Sequence, residues 1–567
     1  MKPLYVWLSL VAIIALFGLF LGYFAVNLPQ GDDFDLILHF LTNYLTTAST
    51  FVDKCSLLTA QFVEHRLFYT RFVVLMQYLL TGHVSFYLII FIGNLSLIGI
   101  LYIVYRQIWR AKLPFHFVIP AALILFQPSY SYDGVLWPAA TLAYNSVAFF
   151  AILTLHWLST SKPTHFWLAI GSALLCTYTF GNGMIIWAVG LLILILQKRR
   201  KAIAFWIGAI ALVLFLYFSQ YVHYQTRNNP LSHALEHPVY VLINYFVFIG
   251  SALNWSEQWP KSLATDDYWS IVVGFSISCL YLFLLFKLIK ASLSKAVADS
   301  KTLTRYQLFV IGVLTFIMLT GLLLTTARVH RDDILMHINR YRIHSVVALV
   351  VSYLYLIPWF QSKRKGFAIA TSLTIFFAFL SYFNFYTIFD FYKRNFLAGQ
   401  FNWQYNQEWF IYRDTAYWED ASKLVMKGAQ KVNTYQVPTS LFIVSESADS
   451  SNQIEIKLDS TNKRLNLRCP VQGLSLFPTH SDYYFAFKNL STNKVYLEAA
   501  HYDRRSVRLV LMGNPYYYDN FNTFITYAHF PTGKYQVGYA TVDTHKQLTY
   551  HWQAFYFENQ LAPAISN

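Results

Sequence analysis

The segment LYVWLSLVAIIALFGLFLGYFAV (residues 4–26), followed at once by NLPQGDDFD (residues 27–35), decides the fold class. A helix needs about 20 apolar residues to cross the core of a bilayer, and this uncharged run is long enough. It is also long for the apolar region of a signal peptide, and no clear small-residue cleavage motif follows it. We therefore expect an uncleaved membrane anchor, with Asp32, Asp33 and Asp35 at the water's edge.

The composition of the whole chain agrees with an integral membrane protein. Of its 567 residues, 56% are hydrophobic and only 13% are charged, whereas soluble domains carry about 25% charged residues. The net charge of +15 does not indicate nucleic acid as a partner, because the basic residues mostly lie in short clusters between apolar runs, as topology signals do. The four cysteines are far apart and predict neither a disulfide framework nor a metal site.

Further apolar segments predict a polytopic helical protein. They lie at residues 84–105, 113–128, 139–158, 166–180, 183–197, 202–220, 267–289, 306–327, 343–360 and 366–384. Two more, 68–80 and 238–253, are shorter or awkwardly placed. The basic clusters RQIWRAK (106–112), QKRRK (197–201), KLIKASLSK (287–295) and QSKRK (361–365) fall on one side only if these two do not cross the bilayer.

This arrangement predicts about 11 transmembrane helices, with the N-terminus inside and everything after residue 385 outside. The C-terminal part changes character, because SLFIVSES, YYFAFKN, KYQVGYATV and HWQAFYFEN alternate with period two between turn signals. The fold class is therefore a polytopic α-helical membrane protein with a C-terminal extracytoplasmic β-sandwich domain. We place the transmembrane domain at 1–390, a helical neck at 391–429 and the β-sandwich at 430–567.

On this topology, the outer loops 28–83, 129–138, 221–266 and 328–342 collect the unusual polar residues. The segment EHRLFYTRF supplies Glu64, His65 and Arg66, and SYDGVLWPAAT supplies Asp133 and Trp137. A tight turn, TFGNGM, carries Asn182 between two glycines. We take these side chains as candidates for substrate binding, and Arg66 for phosphate binding, although the trio 64–66 is equally consistent with a structural role and aromatic residues are common at membrane interfaces.

The last outer loop runs against the usual distribution of charge. Arg328, Arg331, Arg340 and Arg342 lie outside, where basic residues next to spans are normally depleted. A phosphate compensates for such placement, because a guanidinium offers paired donors that match phosphate oxygens. The alternative is a salt-bridged loop in which Asp332 and Asp333 pair with arginines.

A carboxylate and a set of arginines outside the membrane fit one reaction in particular. A sugar on a polyprenyl phosphate presents its anomeric carbon at the outer leaflet, and a carboxylate removes the proton of the attacking hydroxyl. The leaving lipid phosphate needs cations more than an acid. One base and one cationic cradle suffice for single displacement with inversion.

The sequence resembles the GT-C superfamily of membrane glycosyltransferases over residues 1–390. GDDFD is similar to the Asp-Asp-x type found in bacterial arabinofuranosyltransferases, and EHRLFYTRF and TAR…NRYRIHS resemble other patterns of such bacterial membrane proteins. TARVHRDD departs from the pattern in lacking the glycine before its arginine. The resemblance implies that Asp33 or Asp32 is the catalytic base, with Asp33 slightly preferred, or helps to bind a divalent metal, to which His65 is a further candidate ligand; helix capping is the alternative role of both aspartates.

The resemblance further implies a bacterial inner membrane protein with a polyprenyl-phosphate-linked sugar donor and an acceptor that is an extracytoplasmic glycan, lipid or protein. No other cofactor is expected. Two other functions stay open. An O-antigen ligase or polymerase also uses outer arginines and a late loop with histidine, and a lipid-linked sugar transporter or flippase also has charged outer loops, although no internal repeat supports transport.

Overall fold

The chain is mostly helical in a computed structural model, and it ends in β-sheets. The structure describes all residues except 1, 161, 223–229, 255–264, 294–303, 329–338, 361–363, 410–415, 441, 445–452, 460–463, 472–473, 475–481, 528–529 and 560–567.

The helices account for most of the first 430 residues. In chain order they are α1 Pro3–Phe24, α2 Phe40–Thr46, α3 Phe51–Thr59, α4 Phe68–Thr81, α5 Phe86–Arg110, α6 Val118–Leu125, α7 Ser131–Val135, α8 Pro138–Ala140, α9 Ser146–Leu158, α10 Pro163–Thr177, α11 Ile185–Leu196, α12 Arg200–Phe218, α13 Pro230–Glu236, α14 Pro238–Gly250, α15 Thr265–Leu293, α16 Arg305–Arg328, α17 Arg342–Phe360, α18 Arg364–Asn406, α19 Ala416–Lys431 and α20 Val507–Leu511. Two π-helical stretches, Phe34–His39 and Thr141–Asn145, and short 3₁₀ turns, including Gly181–Met184 and Asn339–Tyr341, connect them.

Among the described residues, eight helices are long and apolar enough to cross a membrane. They are α1, α5, the stretch Pro138–Leu158, α12, α15, α16, α17 and α18. The other three predicted spans contain only α6, α10 and α11, which are shorter, so the expected count of 11 is not confirmed. Residues 68–80 form α4, and residues 238–253 form α14 with a 3₁₀ turn. Like Gly181–Leu196, the stretch Pro238–Leu253 is apolar but shorter than the eight candidate spans.

Burial separates these helices into two kinds. Pro138–Leu158 and α16 are mostly buried, whereas α1 and α12 expose most of their apolar side chains. Leu19 of α1 and Phe215 of α12 are more than 70% exposed. Soluble monomers rarely leave such continuous apolar surface in water, so these faces are the ones suited to lipid.

The chain divides into two compact units. The first comprises Met1–Tyr23 and Asn43–Phe385, and the second comprises Phe24–Thr42 and Tyr386–Asn567. The boundary near 385 lies close to the predicted one at 390. The two divisions differ at residues 24–42. The sequence predicts that they belong to the transmembrane domain, whereas in the structure they belong to the second unit.

Two sheets form the C-terminal part of the second unit. The five-stranded sheet has the order β3 Ile443–Val444, β11 Gln547–Asn559, β10 Gly533–Val542, β6 Asp482–Asn489 and β7 Val495–Ala499. The four-stranded sheet has the order β4 Glu455–Asp459, β5 Arg464–Pro470, β9 Tyr517–Thr526 and β8 His501–Arg504. A short hairpin in the first unit pairs β1 Gln61–Phe62 with β2 His65–Arg66.

The predicted alternation is seen directly in β5, where exposed and buried residues alternate over all seven positions. Its inward side includes Leu465 and Leu467, as expected for a strand that covers a core on one face. The ring of Phe521 on β9 lies 5.0 Å from that of Phe485 on β6. Side chains of the two sheets are therefore in contact, and the predicted C-terminal β-structure is confirmed.

Candidate functional site

The predicted site residues fall in both units. Asp32 and Asp33 belong to the second unit, and the remaining candidates belong to the first. Arg331 lies outside the described residues. Of Arg328, the structure describes only its place at the end of α16.

The two aspartates differ in exposure. Asp33 is fully buried, and its Oδ2 accepts a hydrogen bond of 2.8 Å from the backbone N–H of Gln30. The backbone N–H of Asp33 donates in return to the carbonyl of Gln30, so this carboxylate stabilises the turn before the π-helix. Asp32 is only partly buried. Of the two aspartates, Asp32 is therefore the more accessible, whereas the sequence slightly favours Asp33 as the base.

Long-range contacts within the second unit hold this acidic turn. The hydroxyl of Tyr435 donates to the carbonyl of Asn27 at 2.8 Å, and the rings of Phe34 and Trp409 lie edge to face at 6.3 Å. Helix α19 packs on the π-helix Phe34–His39. The segment after the first span is therefore part of the unit that carries the sheets.

Arg66 has the structural role that the sequence left open beside phosphate binding. Its Nε donates to the carbonyl of Tyr217 at 2.6 Å, its Nη1 to that of Thr59 at 2.7 Å, and its Nη2 to that of Ser219. Tyr217 and Ser219 lie at the C-terminal end of α12, where carbonyls lack helical partners and a cation is favourable. The phosphate role predicted for Arg66 gains no support, because three donors serve the backbone.

Neighbouring Arg71 is engaged in the same way. Its Nη1 donates to the carbonyl of Ala60. Burial, together with the positive charge of Arg66, lowers the pKa of Arg71 to about 10. The two arginines thus fasten the segment around the β1–β2 hairpin.

We expect Arg66→Lys to lower the free energy of unfolding by roughly 2–3 kcal/mol, because an ammonium cannot satisfy three carbonyls that point at a planar guanidinium. The measurement is the midpoint of thermal unfolding of the detergent-solubilised protein, with exposed Arg468→Lys as the matched control. An unchanged midpoint combined with lost lipid-phosphate binding would restore the phosphate role.

Arg342 is also used inside the protein. It is fully buried, and its Nη1 donates to the carbonyl of Ser129 and, at 3.3 Å, to that of Asn254. Its guanidinium lies 5.3 Å from the ring centre of Phe385. These contacts give Arg342 a positioning role at the start of α17. Glu64, in contrast, is exposed.

Arg340 sits among aromatic rings, and this is where several predicted residues meet. Its guanidinium lies 5.5 Å from the ring centre of Trp137, 6.0 Å from Tyr144 and 5.7 Å from Tyr341. Tyr144 and Tyr341 meet edge to face at 5.0 Å. Such contacts orient a guanidinium through the ring quadrupoles.

The same aromatic group extends to His65. Phe180 lies 4.6 Å from the ring of Tyr144 and 4.1 Å from the imidazole of His65. We call Trp137, Tyr144, Phe180 and Tyr341 the aromatic cluster. Of these four residues, only Trp137 is a candidate from the sequence. Aromatic residues of the kind found at membrane interfaces are too frequent in this chain for the other three to stand out.

Gly181 fixes the position of His65. A Cβ atom built on Gly181 would lie 2.5 Å from Nδ1 of His65, much closer than a carbon and a nitrogen can approach. Any larger residue must therefore displace the imidazole. The glycine of TFGNGM was a detectable signal of a close approach, although not of its partner.

We expect Gly181→Ala to reduce activity at this site at least about tenfold, since shifts near 1 Å in a positioned group can cost about 100-fold. The measurement is sugar transfer by purified protein. Gly171→Ala is the matched control, because nothing lies within 4 Å of a Cβ at Gly171. If His65 carries the effect, Gly181→Ala adds nothing in a His65→Ala background; an additive loss contradicts the assignment.

Buried polar atoms lie in this part of the unit. Asn182 Nδ2 lies 3.2 Å from Nε2 of His344, and both residues are almost fully buried. Among the described residues, Asn182 Oδ1, His344 Nδ1 and Trp137 Nε1 are buried without a hydrogen-bond partner. Buried polar atoms are normally paired, so these three are suited to bonding a polar ligand.

Asp133 is a partly buried carboxylate close to this region. It lies on α7, which packs on the 3₁₀ turn Asn339–Tyr341 that carries Arg340. Asn145 Nδ2 donates to the carbonyl of Gly134 at 3.2 Å and so holds α7 to the start of α9. Ser131 at the start of α7 has φ +59°, a strained conformation of a kind found at binding sites.

Together these residues combine a guanidinium, aromatic faces, a carboxylate and buried polar atoms within one unit. A guanidinium binds phosphate oxygens, ring faces pack on sugar rings, and isolated polar atoms fix orientation. Within the described part of the chain, no group of three or more His, Cys, Asp or Glu residues is placed to hold a metal ion.

Comparison of the chain with protein-family models, with curated proteins and with solved structures returns no match. The resemblance to the GT-C superfamily therefore stays a prediction.

Proposed function

We propose that this protein is an inverting glycosyltransferase that moves a sugar from a polyprenyl-phosphate donor to an extracytoplasmic acceptor. The observation that carries the proposal is the position of Arg340 against the aromatic cluster, which includes Trp137, in the unit that also contains Asn182. In this proposal Arg340 binds the donor phosphate, the aromatic cluster packs against the sugar, and Asn182 and Trp137 bond to its hydroxyls.

The proposed reaction is a single displacement. The acceptor oxygen attacks the anomeric carbon, its proton passes to a carboxylate, and the bond from the anomeric carbon to the phosphate oxygen breaks. The electron pair leaves with polyprenyl phosphate, whose charge Arg340 stabilises. The candidates for this carboxylate are Asp32 of the acidic turn, since Asp33 is buried against Gln30, and Asp133, which lies on α7 in the same unit as Arg340.

A ligase-like function is the second candidate. It is supported by the contact between Asn182 and His344, a histidine four residues after Arg340 in the sequence. Both functions use lipid-linked sugars, but they differ in the transferred unit.

Mass spectrometry of membranes tests the proposal and its rivals. Cells producing the wild type and cells producing Arg340→Gln at matched level are compared for polyprenyl-linked sugars and for envelope glycans. A product heavier by one monosaccharide, with donor accumulating in the variant, supports the proposal. A product heavier by a preformed oligosaccharide favours the ligase. Movement of lipid-linked sugar without a new glycosidic bond favours a transporter and contradicts both.

A further inference from the structure

The ends of the helices opposite the candidate site carry a second concentration of charge. Helix α10 begins near His165 and ends shortly before Phe180, and α16 begins at Arg305. At 1.5 Å per residue, α10 is about 22 Å long and α16 about 36 Å. These helix lengths are comparable to the thickness of a bilayer core. The charged residues at these helix ends therefore form a group that is distinct from the candidate site.

Five side chains from three helix ends make up this group, which we call the basic cluster. They are Arg106 and Arg110 at the end of α5, Lys162 and His165 at the start of α10, and Arg305 at the start of α16.

Helix α9 packs on α5, α10 and α16 and brings the ends of these helices together. Nδ1 of its His156 lies 2.9 Å from Nε2 of Gln107 on α5, and the ring of its Trp157 lies 4.7 Å from that of His165 on α10. Burial, and then the positive charges of Lys162, Arg110 and Arg305, lower the pKa of His165. Its Nδ1 lies 2.5 Å from the Oγ1 of Thr160, so the imidazole is held in place. Cations drawn from separate helices therefore act on one point.

No acidic side chain offsets this charge within the described residues. The described salt bridges are Arg394–Asp390, Lys423–Glu408, His501–Asp503 and Arg505–Asp519. Between residues 65 and 235 the sequence contains one acidic residue, Asp133, and it lies near the candidate site at the opposite helix ends. Within the described part of the chain, the basic cluster therefore concentrates positive charge without an acidic counter-ion.

One donor in the basic cluster has no protein partner. Nη1 of Arg110 is buried and makes no hydrogen bond among the described residues. The guanidinium of Arg106 lies 5.0 Å from the ring centre of Trp109. A buried donor without an acceptor is costly, and a phosphate oxygen would satisfy it.

We propose that the basic cluster binds the phosphate group of a membrane lipid. A simple topology signal requires basic residues beside spans, but it does not require arginines of separate helices to converge. Convergence between helices is typical of pockets that bind anionic lipid head groups. The phosphate belongs either to an anionic phospholipid or to a polyprenyl phosphate.

Native mass spectrometry of the purified full-length protein in detergent tests this site. Phosphatidylglycerol, a polyprenyl phosphate and phosphatidylcholine are added separately at equal concentration. We expect one of the two anionic lipids to be retained over phosphatidylcholine, and the double variant Arg110→Gln/Arg305→Gln to lower that retention about tenfold or more. The lipid that is retained identifies the source of the phosphate.

Two further variants serve as controls for this experiment. Arg200→Gln/Lys201→Gln removes the same charge from exposed positions of α12 and should leave retention unchanged. Arg110→Lys/Arg305→Lys keeps the charge and should retain most of the binding, which separates charge loss from misfolding. Equal loss in both glutamine variants, or no preference for either anionic lipid in the wild type, overturns the proposal.

Discussion

Arg340→Gln is expected to lower the rate of sugar transfer by about 100- to 1000-fold, the cost of removing one group that stabilises developing charge in a water-poor site. Glutamine keeps hydrogen-bonding capacity but not the positive charge that offsets the leaving phosphate. Arg340→Lys should recover part of the activity, because it restores charge without the paired donors of a guanidinium. The measurement is kcat/KM for the lipid-linked donor with purified protein.

The matched control for this variant is Arg508→Gln, which removes an exposed arginine from α20. It should leave kcat/KM unchanged. Thermal unfolding of both variants shows whether loss of the cation–aromatic contacts has disturbed the fold. Full transfer by a folded Arg340→Gln protein would remove Arg340 from the phosphate site and with it the main support for the proposed reaction.

Hydropathy and alternation were sufficient to predict the kinds of secondary structure. A run such as residues 4–26 is helical because only a helix satisfies its backbone in lipid. In β5 the sequence RLNLRCP alternates in burial at every position. The span count was less predictable, because α6, α10 and α11 are helices of 8, 15 and 12 residues that tertiary packing, rather than hydropathy, defines.

The partners of the site residues could not be predicted, because they are distant in sequence. Asn182 and His344 are 162 positions apart, and the carbonyl that Arg66 Nε contacts belongs to a residue 151 positions away. Charge against the topology rule singled out residues 328–342, and of the four arginines there the structure describes the side chains of Arg340 and Arg342. It did not distinguish Arg342, whose Nη1 donates to two backbone carbonyls, from Arg340, which lies beside the aromatic cluster.

The acidic turn shows the same limit. Sequence proximity attached Asp32 and Asp33 to the first span, yet Asn27 bonds to Tyr435, 408 residues later. Hydrophobic periodicity and composition predict the secondary structure of a segment, but they do not show which distant residues will pack against it. A buried carboxylate such as Asp33 therefore looks, in sequence, the same as its partly exposed neighbour Asp32.

If Asp32 is the base, Asp32→Asn lowers kcat by about 100- to 10,000-fold, the range for loss of a general base. The amide has the same shape as the carboxylate but cannot accept the proton of the acceptor hydroxyl. Asp33→Asn should chiefly lower the unfolding midpoint, because it weakens the acceptor for the backbone N–H of Gln30. The measurements are kcat for transfer and thermal unfolding of each purified variant.

Asp133→Asn separates the base from a sugar-binding carboxylate. If Asp32 is the base, Asp133→Asn raises KM and leaves kcat within a few-fold of the wild type, because a lost ground-state contact acts on binding. If instead Asp133→Asn abolishes kcat while Asp32→Asn is fully active, the base lies on α7 in the same unit as Arg340. The chemistry would then require no carboxylate from the acidic turn, and Asp32, like Asp33, would serve only the local structure.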